Sequence, residues 1–88
     1  MGKEIIKKID EKYFNLISLG KKKFEVRIED DCRFEEGDIL ILKEIDININ
    51  FTGREIRKEI KFISRTKDSS LWNKEDINKY GFTILGFD

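Results

Sequence analysis

Apolar and polar residues follow a helical period near the N-terminus and a strand period over most of the remaining chain. Glu4–Ile9 is rich in β-branched residues, which predicts a short strand. Asp10–Leu19 begins with an aspartate at an N-cap position and carries apolar residues at helical spacing. Gly20 supplies the left-handed conformation at which helices often stop. We therefore predict one helix, packed against a sheet through Phe14 and Ile17.

The rest of the chain alternates in the manner of β-strands. Residues 23–29 separate an apolar face from a charged face, and Ile39–Leu42 has no polar face, which favours a strand buried on both sides. Asp46–Asn50 also alternates; it is either a continuation of the strand to Phe51 or a loop, and we favour the loop. A turn at residues 52–53 and a long strand over Arg54–Ser64 complete this region.

The order of the elements predicts the fold class. A short second helix is expected over Leu71–Tyr80 and a final strand over Phe82–Phe87. Hairpin connections between strands favour an α+β domain whose mostly antiparallel sheet curls toward a barrel. All 88 residues fit one such domain.

Composition limits the compartment and the cofactors. The single cysteine, Cys32, excludes an internal disulfide, and without histidine there is no zinc-binding cluster. The longest apolar run, Ile39–Leu42, is far shorter than the roughly 20 residues of a membrane span. We expect a cytoplasmic protein that needs no metal, cofactor or membrane and is a monomer or a weak dimer.

The charge is balanced overall but divided along the chain. The 18 basic and 18 acidic residues cancel, yet residues 1–27 and 52–67 are each basic and residues 29–38 are acidic. A local basic face would meet phosphates even in a neutral protein. Mixed, solvated faces are the alternative explanation.

One segment carries a recognisable pattern. Gly20, Lys22, Glu25 and Arg27 stand at the spacing GxKxxExR, between the predicted helix and the next strand. With this order and length, the chain resembles a small bacterial and phage branch of the ASCH superfamily, from about residue 6 to residue 87. The resemblance implies a PUA-like β-barrel and a domain directed at RNA or a nucleotide. The further segments that carry it are residues 37–40, 51–56 and 80–86.

The same resemblance implies an enzymatic alternative. Some small relatives resemble amidohydrolases that remove an acyl group from the exocyclic nitrogen of a modified cytidine, using a lysine and a threonine of the motif and a distant glutamate. Lys22 matches the lysine, but Glu25 stands where the threonine would be. Under this alternative Lys22 and Glu25 are the catalytic residues.

The motif residues also suit a ligand site on chemical grounds. Glu25 and Arg27 share a strand face with Cα atoms about 6.5–7 Å apart, and Lys22 lies at the entry to the strand. A guanidinium suits phosphate or a base edge, and a carboxylate accepts hydrogen bonds from base amino groups. An ordinary surface ion pair is the competing interpretation.

These observations leave three functions open. The leading hypothesis is an RNA- or nucleotide-binding module. The alternatives are the amidohydrolase and an accessory domain that binds another protein through a sheet edge. The predicted ligand-binding residues are Lys22, Glu25, Arg27, Arg54, Arg57, Lys58 and Lys61.

Overall fold

One helix and six strands make up the described part of the chain. A computed structural model describes residues 2–29, 32–66 and 81–88, so the helix expected over residues 71–80 lies outside it. In this part the protein is of the α+β class, mostly strands with one helix. The elements are β1 (Glu4–Asp10), α1 (Glu11–Ser18), β2 (Phe24–Arg27), β3 (Ile39–Ile45), β4 (Phe51–Glu59), β5 (Phe62–Arg65) and β6 (Thr83–Gly86). Among the described residues, no helix is long and apolar enough to cross a membrane.

The strands form two three-stranded sheets. The first has the order β1-β3-β4 and the second the order β2-β6-β5. β1 pairs with β3 in parallel, whereas every other pairing between described strands is antiparallel. β1 and β3 can run parallel because α1 and β2 lie between them in the sequence and form the long crossover connection that a parallel pair requires. Within residues 2–29, 32–66 and 81–88 the sheets are not closed into the barrel that we predicted.

The helix forms and packs as its sequence indicates. The Asp10 carboxylate accepts a hydrogen bond from the Tyr13 backbone N–H at 3.1 Å, which caps the first turn. Gly20 follows the helix with a φ of 74°. Phe14 and Ile17 are both buried against the first sheet, so their predicted packing is confirmed.

The buried strand is also confirmed. Leu40, Ile41 and Leu42 are buried although they alternate between the two faces of β3. Phe34, in the acidic stretch before β3, is fully buried as well. This core position is not evident from the sequence because the neighbours of Phe34 are charged. The other members of the core are Ile5, Ile9, Phe14, Ile17, Ile60, Leu85 and Phe87.

The β3–β4 connection is the loop that we favoured. The Asp46 carboxylate accepts hydrogen bonds from the backbone N–H groups of Asn48 and Asn50, at 2.9 and 3.0 Å. The turn expected at residues 52–53 is wrong, because both residues lie inside β4. Gly53 there has a φ of 93°, beside the break in register between Lys43 and Ile45, and its missing side chain permits this irregularity.

The long strand predicted over residues 54–64 is divided between the two sheets. Ile60 is fully buried, and its N–H donates to the carbonyl of Asp38 at 2.8 Å. The next N–H, of Lys61, donates instead to the carbonyl of Gly86 at 2.8 Å. The chain therefore changes sheets at these two residues, although its alternation of apolar side chains continues through them.

Candidate functional site

β2 turns its charged face inward. Glu25 is only 5% exposed, whereas its neighbours Phe24 and Val26 are 45% and 42% exposed. In the paired strand β6, Glu25 lies opposite Leu85, which is fully buried and belongs to the core. The strand thus has the reverse of the usual arrangement, in which apolar side chains face the core.

The motif residues meet in a cleft between the end of β1, the start of α1 and β2. Lys22 Nζ lies 2.9 Å from Glu25 Oε1, and Arg27 Nη2 lies 2.7 Å from Glu25 Oε2. The structure thus brings together three of the seven predicted ligand-binding residues. The cleft has a volume of about 530 Å³, and the described residues that line it are Lys8, Ile9, Asp10, Tyr13, Lys22, Phe24, Glu25, Val26 and Arg27.

The two cations are held by further contacts. Arg27 Nη2 also donates to the backbone carbonyl of Lys8 at 2.5 Å, which ties β2 to β1. The ammonium of Lys22 lies 4.5 Å from the ring centre of Tyr13 and 5.2 Å from that of Phe24. Both are cation–π distances, so the aromatic rings restrict where the ammonium lies.

Hydrogen-bonding capacity remains at the centre of the cleft. Arg27 Nε is buried and has no hydrogen-bond partner among the described residues. Among the described residues, each oxygen of Glu25 has one cationic partner, Lys22 or Arg27, and retains a second lone pair. The charged residues lining the cleft are three basic and two acidic, a balance of +1 that favours an anionic ligand.

The other four predicted residues lie away from the cleft. Arg54, Arg57 and Lys58 are on β4, and Lys61 follows it. None of them is among the described residues that line the cleft, and each has a contact elsewhere. The contacts are Arg54 with Glu44 at 3.5 Å, Arg57 with Glu4, Lys58 with the Asp88 carbonyl at 2.8 Å, and Lys61 with Glu59 at 3.2 Å.

A second, half-buried charge cluster was not predicted from the sequence. Arg65 Nε and Nη2 donate to the two carboxylate oxygens of Glu29, at 2.6 and 3.0 Å. The Phe34 N–H and the Thr83 hydroxyl donate to the same carboxylate, at 2.8 and 2.9 Å. The hydrogen bonds from Arg65, assisted by the other two donors, lower the pKa of Glu29 from 4.5 to about 2. The sequence feature that could have indicated this cluster is that Glu29 alternates onto the same strand face as Glu25.

Comparison with known proteins places the chain in a family. No curated protein matches it. The solved structure titled "Crystal structure of hypothetical protein PH0355" aligns with a TM-score of 0.62 at 20% identity, covering 100% of this chain and 98% of that one. This likeness shows a shared fold alone. The model of the family described as "Domain of unknown function (DUF3850)" matches residues 6–87, nearly the whole chain. The chain therefore belongs to the DUF3850 family.

Proposed function

We propose that this protein is an RNA- or nucleotide-binding domain and that its cleft holds a nucleobase with an adjoining phosphate. The observation that carries the proposal is the Glu25 carboxylate, 5% exposed and held between Lys22 and Arg27. Burying a carboxylate beside two half-buried cations is costly, and apolar residues of similar volume would often stabilise a fold equally well or better. Departures from the inside–outside pattern are expected at functional sites.

Each of the three side chains has a distinct chemical capacity. The second lone pairs of the Glu25 oxygens suit two adjacent N–H groups on a base edge. A carbonyl or phosphate oxygen that reached the buried Nε–H of Arg27 would give this group a partner, and the Lys22 ammonium has two further protons for phosphate. A volume of about 530 Å³ lies within the range of small-molecule sites.

The GxKxxExR spacing supports the same proposal. It is the part of the sequence that resembles ASCH domains, and its three charged residues are those that meet in the cleft. Membership of the wider PUA-like group remains part of the proposal, because a shared fold by itself does not specify a function.

RNA binding by this cleft is expected to be salt-dependent. With Lys8, Lys22 and Arg27 as phosphate contacts, the logarithm of the association constant should fall with the logarithm of salt concentration at a slope of about −2. Fluorescence anisotropy with labelled single-stranded RNA, from low to physiological salt, measures this slope. An absence of binding at low salt, or a flat response, would contradict the proposal.

Lys22→Ala should weaken binding by about tenfold, the loss of one charge-assisted contact of about 1.5 kcal/mol. The fold should remain intact because Lys22 lies in the link between α1 and β2 and belongs to no core cluster. Binding is measured by calorimetry, and the thermal midpoint reports on the fold. Lys21→Ala is the matched control, since Lys21 is exposed and does not line the cleft, and it should bind as the wild type does.

Activity measurements on the wild type, Lys22→Ala and Glu25→Ala separate a binding domain from an amidohydrolase. A nucleophilic Lys22 must be uncharged, whereas its hydrogen bond to Glu25 at 2.9 Å uses it as a charged donor. We therefore expect no release of acetate from acetylated cytidine by the wild-type protein. Release that disappears in both Lys22→Ala and Glu25→Ala would establish the hydrolase instead.

A further inference from the structure

An exposed aromatic residue flanked by two lysines lies next to the cleft. Phe51 is 59% exposed at the start of β4. The ammonium groups of Lys8 and Lys43 lie 5.8 and 6.0 Å from its ring centre, near the outer limit of a cation–π contact. We call these three residues the Phe51 platform. The ring is thus an exposed apolar surface with two ammonium groups over it.

The lysines of the Phe51 platform are available to a ligand. Neither Lys8 nor Lys43 forms an ion pair with any residue in the described ranges, in contrast to Arg54 and Arg57 of β4. Glu55 lies opposite Lys43 in the register, and it pairs with Arg57 at 3.9 Å. The positive charge beside the ring is therefore not neutralised by an ion pair with a described residue.

The Phe51 platform is continuous with the cleft through Lys8. Lys8 lines the cleft, and its backbone carbonyl accepts the hydrogen bond from Arg27. Its side chain reaches the Phe51 ring on the outer face of the first sheet. Lys8 is therefore common to the cleft and the Phe51 platform, and a strand that leaves the cleft along Lys8 would reach the aromatic ring.

We propose that the Phe51 platform is a second subsite that stacks the base next to the one in the cleft, while Lys8 and Lys43 contact the intervening phosphates. This inference rests on the proposed function and makes it more specific, because the ligand becomes single-stranded nucleic acid rather than a free nucleotide. An aromatic ring with adjacent cations is the arrangement by which single strands are bound without sequence readout.

The test compares a mononucleotide with a tetranucleotide of the same base, in ribose and deoxyribose forms, by calorimetry. Wild-type protein should bind the tetranucleotide at least tenfold more tightly than the mononucleotide. Phe51→Ala should weaken tetranucleotide binding by about five- to a hundredfold, the range of one base–aromatic stack. It should leave mononucleotide binding unchanged, and Phe51→Trp should retain the wild-type affinity.

Phe62→Ala is the matched control. Phe62 is 60% exposed on a strand of the other sheet and should have no effect on either ligand. Lys43→Gln should reduce the magnitude of the salt slope for the tetranucleotide by about 0.7, one phosphate contact on a single strand.

The outcomes distinguish the second subsite from the cleft. If Phe51→Ala binds the tetranucleotide normally, or loses no more affinity than Phe62→Ala, the Phe51 platform is overturned and the cleft proposal stands. If Phe51→Ala weakens the mononucleotide equally, the ring belongs to the cleft and there is no second subsite. If the wild-type protein binds neither ligand, both proposals are overturned. A difference between ribose and deoxyribose strands identifies which nucleic acid the Phe51 platform prefers.

Discussion

Replacing Phe14 with alanine should lower the free energy of unfolding by about 3–5 kcal/mol. The ring is 3% exposed and packs in the cluster that joins α1 to the first sheet. It also lies 4.4 Å from the Arg54 guanidinium, so its removal deletes a cation–π contact as well as apolar packing. Such a loss is a large share of the roughly 5–15 kcal/mol that stabilises a typical domain. Urea unfolding followed by circular dichroism measures it.

Tyr13→Ala is the control for this measurement. Tyr13 is the preceding residue of the same helix, but it is 42% exposed at the cleft. Its truncation changes the helix propensity and side-chain size in a similar way while removing little buried packing, and we expect a loss below about 1 kcal/mol. A loss at Phe14 as small as that at Tyr13 would mean that α1 is not anchored to the sheet through this ring.

The elements that rest on local periodicity could be predicted from the sequence. The N-cap at Asp10, the glycine stop at Gly20 and the strand at Ile39–Leu42 each depend on residues within a few positions of one another. The parallel pairing of β1 with β3 depends on contacts across α1 and β2, and nothing local specifies it. The division of residues 54–64 between two sheets was missed for the same reason, since the alternation is unbroken there.

The candidate site shows that alternation of polar and apolar residues does not determine which face of a strand is buried. The pattern of β2 separates Glu25 and Arg27 from Phe24 and Val26, but it does not state which face turns inward. That choice is made by β6, whose Leu85 lies opposite Glu25 and belongs to the core. The GxKxxExR pattern selected three residues that the fold brings together in the cleft, whereas the charge of β4 suggested four more that the fold places elsewhere.

Glu29 should make the protein's stability depend on acidity. Its pKa of about 2 in the folded chain lies below the ordinary value of 4.5. A group with a lowered folded pKa stabilises the fold fully above its unfolded pKa, and this contribution is lost as the pH falls through the folded pKa. The affected window is therefore from about pH 4.5 down to about pH 2. The full shift corresponds to about 3 kcal/mol, and solvent screening at this partly exposed pair reduces it to about 2 kcal/mol.

Glu29→Gln isolates this contribution. At pH 7 the variant should be less stable than the wild type by about 2 kcal/mol, because the neutral amide removes the charge that pairs with the Arg65 guanidinium. The difference should shrink toward zero by pH 2, where the wild-type carboxyl is itself becoming protonated. Unfolding in urea at a series of pH values measures both curves.

Glu55→Gln provides the comparison. Glu55 is an exposed residue of β4 whose contact with Arg57 is 3.9 Å long, so its replacement should change stability by less than about 0.5 kcal/mol at every pH. A gap between wild type and Glu29→Gln that stays constant with pH would mean that Glu29 acts through packing rather than charge.

Because Arg65 Nη2 also donates to the Phe34 carbonyl at 2.6 Å, weakening the Glu29–Arg65 pair should loosen the segment before β3 first. In the wild type the Phe34 backbone N–H donates a hydrogen bond to the Glu29 carboxylate. Hydrogen exchange at this amide should then rise as the pH falls through the same window.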